Sequence, residues 1–286
     1  MLELHCHTTC SDGTLTPTEL VKAAIAARVQ ALAITDHDTV AGWDEAMTAA
    51  ASEAAEIEIV PGLELSTVHL GRSLHILGYY PDRQKLLPPL TERIEGRKRR
   101  AKKMAEKLAE LGYPIELPAM PEAMAPGRPH IAAALVRAGH AKSSADAFDR
   151  WLGDDGPAYV PYEKFSAVDG IKLLRDCGAV PVWAHPYLFR GGTVEAVLPE
   201  LVNAGLMGLE VYHPTHSAHQ RQQLMSLCQR YGLLKTGGSD YHGPSLRDGW
   251  ERTTLNQLEV PLAYLEKLQD AALQLRGLRC MDDDED

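Results

Sequence analysis

Short apolar segments that end in histidine or carboxylate residues recur along this chain, and they restrict its possible folds more than any other feature. The first is residues 2–7, LELHCH, with Asp12 in the turn that follows. If this segment is a strand, His5 and His7 project to the same side, opposite Leu2, Leu4 and Cys6. Two imidazoles on one rigid face form half of a metal site, and Asp12 adds a carboxylate nearby.

The apolar segments alternate with amphipathic helical patterns, which is typical of repeated βα units. Residues 16–28 begin with a capping box and predict the first helix. The predicted strands are residues 31–35, 57–60, 179–184, 208–212 and 233–236. Residues 64–70 and 73–79 alternate in polarity and predict a hairpin. We therefore expect an α/β fold in which the parallel strands end at one face, where catalytic groups of α/β barrels converge.

Ten polar residues lie at or near the predicted strand ends or in the segment between residues 81 and 159. They are His5, His7, Asp12, His37, Glu64, His75, His130, His185, Asp240 and His242. Imidazole and carboxylate together suit zinc, iron or manganese better than calcium, and the chain has no cysteine quartet for a structural zinc. A ligand set of this size implies more than one ion.

Composition excludes several other classes of protein. A net charge of -10 argues against duplex nucleic acid as a partner, and no apolar run approaches the roughly 20 residues of a membrane span. The five cysteines show no disulfide pattern, and the histidine-rich segment leaves no room for a signal peptide. We therefore expect a cytoplasmic protein with reduced thiols, and an acidic tail at residues 282–286 that is solvated.

The βα alternation is interrupted between residues 81 and 159. A long basic helix is predicted at residues 86–111, followed by a proline-rich stretch and short helices. We predict an inserted helical subdomain at 81–159 and a main domain formed by residues 1–80 and 160–286. Arg93, Arg97 and Arg100 recur at helical spacing and form one stripe, although a solvated surface is the alternative. Guanidinium groups bind phosphate in a bidentate manner, so the stripe could hold a phosphate.

The motifs resemble those of the polymerase and histidinol phosphatase (PHP) family of the amidohydrolase superfamily. In chain order they are His5-Cys6-His7 with Ser11-Asp12-Gly13, Thr35-Asp36-His37-Asp38, Pro61-Gly62-Leu63-Glu64, His75, Arg128-Pro129-His130, His185-Pro186 and Gly238-Ser239-Asp240-Tyr241-His242. The resemblance implies a distorted (β/α)7 barrel that holds two or three divalent metals.

The resemblance also implies a ligand set for each ion. The first ion would be held by His5, His7, Glu64 and Asp240. Glu64 would bridge to a second ion held with His75 and His130, and a third would be held by Asp12, His37 and His242. Because Asp12 makes the third site rich in oxygen, we favour manganese and keep zinc and iron open. Asp36 and Asp38 are expected to orient the imidazoles.

The function implied is phosphate monoester hydrolysis by a metal-activated hydroxide. The segment 81–159 resembles the insertion of a subgroup whose members include 3',5'-nucleoside bisphosphate phosphatases and an exoribonuclease. We therefore expect loss of one phosphate from a substrate such as 3'-phosphoadenosine 5'-phosphate, giving a nucleoside 5'-monophosphate. His185 is the candidate acid, and Asp240 is the second catalytic residue. The expected substrate contacts are Asp12, His37, Arg93, Arg97, Arg100, Arg128, His130 and His185.

Three alternatives stay open. A 5'-3' exoribonuclease acting on short oligoribonucleotides would use the same metals, but it needs aromatic residues among the basic ones, which the stripe itself lacks. Histidinol phosphate hydrolysis is the second, and a non-catalytic metal-binding regulatory module is the third. The sequence does not define the oligomeric state. Surface or capping roles are expected for His69, His140, His216 and His219, and the role of His213 is left open.

Overall fold

The computed structural model describes residues 1–53, 56–121, 124–161, 165–244 and 253–277. Within these residues, seven strands form one sheet in chain order: β1 (Leu2–Glu3), β2 (Ala31–Ile34), β3 (Glu58–His69), β4 (Arg72–Tyr79), β5 (Val180–Trp183), β6 (Gly208–Tyr212) and β7 (Leu234–Gly237). Neighbouring strands are parallel except where β4 pairs antiparallel with β3 and with β5. The predicted hairpin is therefore present, and β4 reverses direction within an otherwise parallel sheet.

The sheet nearly closes on itself where the chain beyond β7 runs beside β1. The backbone nitrogen of Leu4 donates to the Gly237 carbonyl at 3.1 Å, and that of His7 donates to the Tyr241 carbonyl at 2.8 Å. These bonds join the first strand to the last. The predicted α/β fold with a distorted seven-stranded barrel is confirmed.

The helices of the barrel follow the predicted alternation. They are α1 (Pro17–Ala26), α2 (Trp43–Ser52), α6 (Ala167–Asp176), α7 (Val194–Asn203), α8 (Ala218–Tyr231) and α9 (Ala263–Leu275). The predicted capping box is present on α1, where the Thr16 side chain accepts from the Glu19 backbone and Glu19 accepts from the Thr16 backbone. The sequence analysis did not predict α9.

Two apolar clusters stabilise the barrel. One lies between the sheet and the surrounding helices and contains Cys6, and the other contains Leu2 and Leu4 and packs against α9. The prediction that these three residues share one face was therefore wrong. The reason is that β1 ends at Glu3, so the regular alternation of a strand does not continue through the following residues.

The segment 81–159 contains α3 (Arg83–Glu110), α4 (Arg128–Arg137), α5 (Ser144–Ala147) and a π-helical turn, Phe148–Leu152. Leu86 and Leu90 at the start of α3 pack into the main core, whereas Met104 and Leu108 near its end pack into a separate apolar cluster of this segment. A core of its own supports the proposed subdomain. The proposed acidic tail, 282–286, lies outside the described residues.

Within the part of the chain that is described, no helix combines the length and the apolar character needed to cross a membrane.

Candidate metal centre

Two isolated backbone bridges bring the polar ends of four segments together. Cys6 pairs in parallel with Tyr241, and His37 pairs in parallel with Glu64. The residues that flank the first bridge are all candidate ligands: His5, His7, Asp240 and His242. Because residues on either side of a bridged position project to the same side, this pairing turns all four side chains towards one space.

Glu64 lies at the centre of the cluster and is buried, with 1% of its surface exposed. Five imidazoles surround its carboxylate: those of His5, His7, His37, His75 and His185. The distances from the nearest ring nitrogens to Glu64 oxygens range from 2.7 Å for His75 to 3.3 Å for His5. Oε2 faces three of the rings and Oε1 faces the other two, so the two oxygens are directed at different groups of ligands. This arrangement supports a bridging role for Glu64.

The other two carboxylates extend the cluster on either side. Asp240 Oδ1 lies 3.4 Å from His5 Nε2 and 3.2 Å from His7 Nε2, which completes the predicted first ligand group. Asp12 Oδ1 lies 3.3 Å from His242 Nε2, and Asp12 Oδ2 lies 3.9 Å from His37 Nε2. The structure thus brings together the residues that were predicted to hold the first and third ions.

Close approach of the backbone fixes the position of His5. A Cβ atom on Gly238 would lie 2.7 Å from the Cβ of His5 and closer still to the His5 backbone nitrogen. Only glycine fits at this position without displacing one of the two segments.

Three residues at this end of the barrel have left-handed backbones although they are not glycine. Their φ angles are +53° for Asp38, +32° for His185 and +51° for Asp240. Each such conformation costs about 1–3 kcal/mol and persists only when its surroundings hold it. The clustering of these residues therefore supports a functional role for this region.

Burial and the neighbouring carboxylates act in opposite directions on the pKa of the imidazoles, and the balance differs between His7 and His37. Although burial favours the neutral ring, the nearby carboxylates of Asp240 and Glu64 raise the pKa of His7 to about 10. Burial lowers the pKa of His37 to about 3, and the attraction of Glu64 and Asp12 offsets only part of this effect. Despite burial, the surrounding imidazoles hold the pKa of Glu64 well below its usual range.

The donor set fits divalent metal ions. Nε2 of His5, Nε2 of His7 and Nδ1 of His37 are buried and have no well-aligned hydrogen-bond partner among the described residues. Each is nevertheless within 3.3 Å of Glu64 Oε2. Imidazole nitrogens that converge with a carboxylate oxygen are the ligands that zinc, iron and manganese accept. Four groups of possible ligands can be formed from the described residues, and Glu64 belongs to two of them.

His130 belongs to none of these groups, although it was predicted to be a ligand of the second ion. Its Nδ1 accepts a 3.0 Å hydrogen bond from the backbone nitrogen of Gly127, at the start of α4. Instead, His185 Nε2 lies 3.0 Å from the Glu64 oxygen that His75 also contacts. The structure therefore brings His185, which was predicted as the catalytic acid, to the position expected for the His130 ligand.

The predicted substrate arginines are paired with groups of the protein. Arg97 Nη1 donates to Asp38 Oδ2 at 2.6 Å and to Ser66 Oγ at 2.9 Å, and Arg93 Nε donates to Asp38 Oδ1 at 3.2 Å. Arg93 also donates to the Ser66 carbonyl. Arg97 and Arg93 thus form one network with Asp38 and Ser66, which keeps both side chains at the edge of the imidazole cluster.

The other two arginines lie farther into the 81–159 segment. Arg100 Nε donates to the Val160 carbonyl at 2.6 Å, and Arg128 Nη1 donates to Asp154 Oδ1 at 2.7 Å. Both guanidinium groups lie 5.6 Å from the centre of the Tyr159 ring.

Among the described residues, the hydrogen bonds of Asp36 and Asp38 go directly to groups other than imidazoles. Because the Ser11 hydroxyl, which donates to Asp36, also lies 3.4 Å from His7 Nδ1, the orienting role stays a prediction. Asp36 accepts from the Thr8 backbone and hydroxyl at 2.8 and 2.7 Å and from the Ser11 hydroxyl at 2.5 Å. Asp38 accepts from the two arginines described above and from the Ser66 backbone. Asp36 therefore holds the loop that follows His7, and Asp38 holds the arginine pair.

The sequence analysis did not assign Glu210 to the site, because it lies within an apolar strand. It is fully buried, and its Oε1 lies 2.9 Å from His5 Nδ1. His213 was left open, and its Nε2 lies 3.6 Å from Asp240 Oδ2. His213 follows β6, and this position at a strand end was the available signal.

Four histidines were expected to have surface or capping roles, and the structure shows that two of them are buried. His219 is exposed on α8, as expected, and half-buried His140 contacts the Pro114 carbonyl at 2.9 Å. His69 and His216 are buried, so the expectation was wrong for these two. His69 packs against the ring of Phe189, with the ring centroids 5.9 Å apart.

Comparisons with known proteins agree with the geometry of the site. Residues 3–94 match the PHP domain family. A 5'-3' exoribonuclease of Haemophilus influenzae is 36% identical over 257 residues, which cover 87% of this chain and 91% of the relative. A 3',5'-nucleoside bisphosphate phosphatase of Chromobacterium violaceum is 32% identical and covers 85% of this chain and 87% of the relative.

A solved structure has the same fold across nearly the whole chain. It is that of a candidate metal-dependent phosphoesterase from Bifidobacterium adolescentis, with a TM-score of 0.83 and 32% sequence identity. The superposition covers 96% of this chain and 98% of the other.

Proposed function

Because the chain belongs to the PHP family and is a metal-dependent phosphoesterase of that family, we propose that it removes one phosphate from a 3',5'-bisphosphorylated nucleoside. The substrate that we favour is 3'-phosphoadenosine 5'-phosphate, and the product is a nucleoside 5'-monophosphate. The similarity to a bisphosphate phosphatase over most of both chains supports this choice.

The position of the arginine pair beside the imidazole cluster is the observation that carries the proposal. Glu64 and Ser66 are two residues apart on β3, so their side chains lie on the same side of the strand. Glu64 contacts the imidazoles, and Ser66 contacts Arg93 and Arg97. A phosphate at the imidazole cluster and a second phosphate at the arginines would then fit one small substrate.

Asp38 sets the geometry of the arginine pair. Its two carboxylate oxygens each contact one of the guanidinium groups, Oδ1 that of Arg93 and Oδ2 that of Arg97. Asp38 also fixes the direction of both side chains before the substrate binds, which reduces the entropy lost on binding.

Divalent ions, when bound among the imidazoles, would lower the pKa of a water molecule and neutralise the charge of the phosphoryl oxygens. The side chains of this chain would provide the ligands: His5, His7, Asp12, His37, Glu64, His75, His185, Asp240 and His242. His5, His7 and Glu64 of this set are buried, which strengthens the electrostatic contacts made at the centre of the cluster.

The acid that protonates the leaving oxygen is assigned by elimination of ligands. His185 fits a ligand role, because its Nε2 points at Glu64. His213 is the better candidate for an acid. The Thr215 backbone donates to Nδ1 of His213 at 3.3 Å, and Nε2 faces the cluster, 3.6 Å from Asp240 Oδ2. A neutral ring that accepts at Nδ1 would carry its proton on Nε2, directed at the cluster. We therefore propose His213, in place of His185, as the proton donor to the leaving oxygen.

A 5'-3' exoribonuclease is the second candidate function, and one feature of the structure favours it. Aromatic rings from outside α3 pack against the arginine stripe: Phe165 lies 4.0 Å from the Arg93 guanidinium, and Tyr159 lies near Arg100. Alternation of aromatic and basic groups is typical of surfaces that bind single-stranded nucleic acid. The 36% identical relative is named for this activity.

A direct comparison of substrates tests the proposal. The protein, reconstituted with Mn²⁺, is incubated separately with 3'-phosphoadenosine 5'-phosphate and with a short 5'-phosphorylated oligoribonucleotide, and products are identified by phosphorus NMR. We expect adenosine 5'-monophosphate and inorganic phosphate from the bisphosphate, at the higher kcat/KM. Cleavage of the oligoribonucleotide with no hydrolysis of the bisphosphate would reject the proposal in favour of the exoribonuclease.

A further inference from the structure

Glu210 contacts two candidate ligands, His5 and His185, which face different oxygens of the Glu64 carboxylate. Its Oε1 lies 2.9 Å from Nδ1 of His5, and its Oε2 accepts a 2.7 Å hydrogen bond from the backbone nitrogen of His185. His5 and Glu210 have no exposed surface, and the His185 side chain is 14% exposed. The rings of His5 and His185 are stacked, with centroids 5.7 Å apart.

The contact with His5 determines which ring nitrogen is available to a metal. An ionised carboxylate only accepts hydrogen bonds, so Nδ1 of His5 must donate to Glu210. In the neutral ring the lone pair is then on Nε2, which faces Glu64 at 3.3 Å and Asp240 at 3.4 Å. A partner that fixes the tautomer of a metal-binding histidine in this way also increases its basicity.

The contact with His185 acts on the backbone instead. His185 has a φ of +32°, a conformation that residues other than glycine rarely adopt. The hydrogen bond from its backbone nitrogen to Glu210 opposes relaxation to an ordinary conformation. This holds the His185 ring at 3.0 Å from Glu64 Oε1.

We propose that Glu210 is a positioning residue, which sets the ligand tautomer of His5 and holds the backbone of His185, and so couples the two metal positions on either side of Glu64. The inference rests on the proposed metal-dependent activity of this site, but it does not depend on which phosphorylated substrate is hydrolysed.

The number of acceptors on residue 210 makes the proposal specific. Glu210 uses one oxygen for each of its two donors, whereas glutamine has one oxygen and one amino group. The backbone nitrogen of His185 can only donate, so in Glu210→Gln the amide oxygen must face it. The amino group then faces His5 Nδ1 and requires the proton of that ring to be on Nε2. His5 would no longer be a ligand, although the volume of residue 210 is almost unchanged.

Three proteins test the inference: the wild type, Glu210→Gln and Glu210→Asp. Each is stripped of metal and titrated with Mn²⁺, and free Mn²⁺ is measured by electron paramagnetic resonance. We expect Glu210→Gln to bind Mn²⁺ about 10–100-fold more weakly, the usual effect of losing such a partner. Glu210→Asp keeps two acceptors and should bind more tightly than Glu210→Gln despite its shorter side chain. Equal affinity of Glu210→Gln and the wild type would overturn the inference.

A measurement on the wild type does not depend on whether either variant folds. In protein loaded with Zn²⁺ and labelled with ¹⁵N in histidine, we expect His5 to carry its proton on Nδ1. A proton on Nε2 of His5 would contradict the inference. If the titrations behave as expected and the bisphosphate is not hydrolysed, only the proposed substrate fails.

Discussion

Arg97 donates a 2.6 Å hydrogen bond to the buried carboxylate of Asp38, the residue that directly follows the candidate ligand His37. The ion pair connects the helix that begins the 81–159 segment to the edge of the imidazole cluster. Because Asp38 also contacts Arg93, the position of both arginines is set before any substrate arrives.

Replacing Arg97 with alanine should weaken the binding of a bisphosphate more than that of a substrate with one phosphate. Loss of a charge-assisted hydrogen bond to phosphate costs about 1.5–3 kcal/mol, so we expect KM for 3'-phosphoadenosine 5'-phosphate to rise about 10–100-fold. KM for p-nitrophenyl phosphate should change little. Arg99→Ala is the matched control, because Arg99 lies on the same helix, is half-exposed and pairs with Glu92. Equal increases for both substrates would reject the second-phosphate role.

Replacing Glu64 with glutamine should abolish hydrolysis and reduce the bound metal. The change removes the one negative charge that faces five imidazoles, and we expect a loss of activity of more than about 100-fold. Metal content is measured by mass spectrometry of the purified variant. Glu58→Gln, on the same strand but exposed and bonded to Tyr80, should keep both activity and metal. Normal stoichiometry in Glu64→Gln would contradict the bridge.

Asparagine substitutions of His185 and His130 should separate a ligand from a substrate contact. We expect His185→Asn to lose roughly one ion per chain, because its Nε2 is directed at Glu64. His130→Asn should keep its metal and raise KM, because His130 lies at the start of α4, close to the arginines. Loss of metal from His130→Asn, with normal metal content in His185→Asn, would show that His130 is the ligand instead.

Removal of metal should make the stability of the protein depend on pH near neutrality. Without metal, the pKa of His7 is raised to about 10, so its proton stabilises the folded state fully below the unfolded pKa of about 6.5. This contribution is lost as the pH rises towards 10, so we expect the metal-free protein to melt at lower temperatures at about pH 9 than at about pH 7. Bound metal replaces the proton, and the loaded protein should show a smaller change. Thermal melts monitored by circular dichroism, with and without chelator, measure the difference.

Polar residues at strand ends predicted most of the candidate centre, because parallel strands end at one face, whereas the seven-stranded barrel was implied by the resemblance to the PHP family. His5, His7, Glu64 and Asp240 follow short apolar runs, and that position alone was enough to bring them together. The sequence could not show whether His130 or His185 lies beside His75 at Glu64. The path of the 81–159 segment, which contains His130, depends on packing among its own helices rather than on a repeated pattern.

Other features had no signal in the local sequence. Glu210 lies within an apolar strand, and its role depends on two partners that are distant in the sequence. The split of Leu4 and Cys6 between two apolar clusters follows from the early end of β1, which pairing with the far end of the chain determines.

The near closure of the barrel between β1 and β7 affects which part of the protein unfolds locally first. The segments at this junction carry His5 and His7 from the start of the chain, and Asp240 and His242 from near its end. A bound cation would therefore act as a cross-link between positions more than two hundred residues apart, and such long closed loops reduce the entropy of the unfolded chain most. Chelation should accordingly speed amide hydrogen exchange first at Leu4 and His7, before it does so in the middle strands.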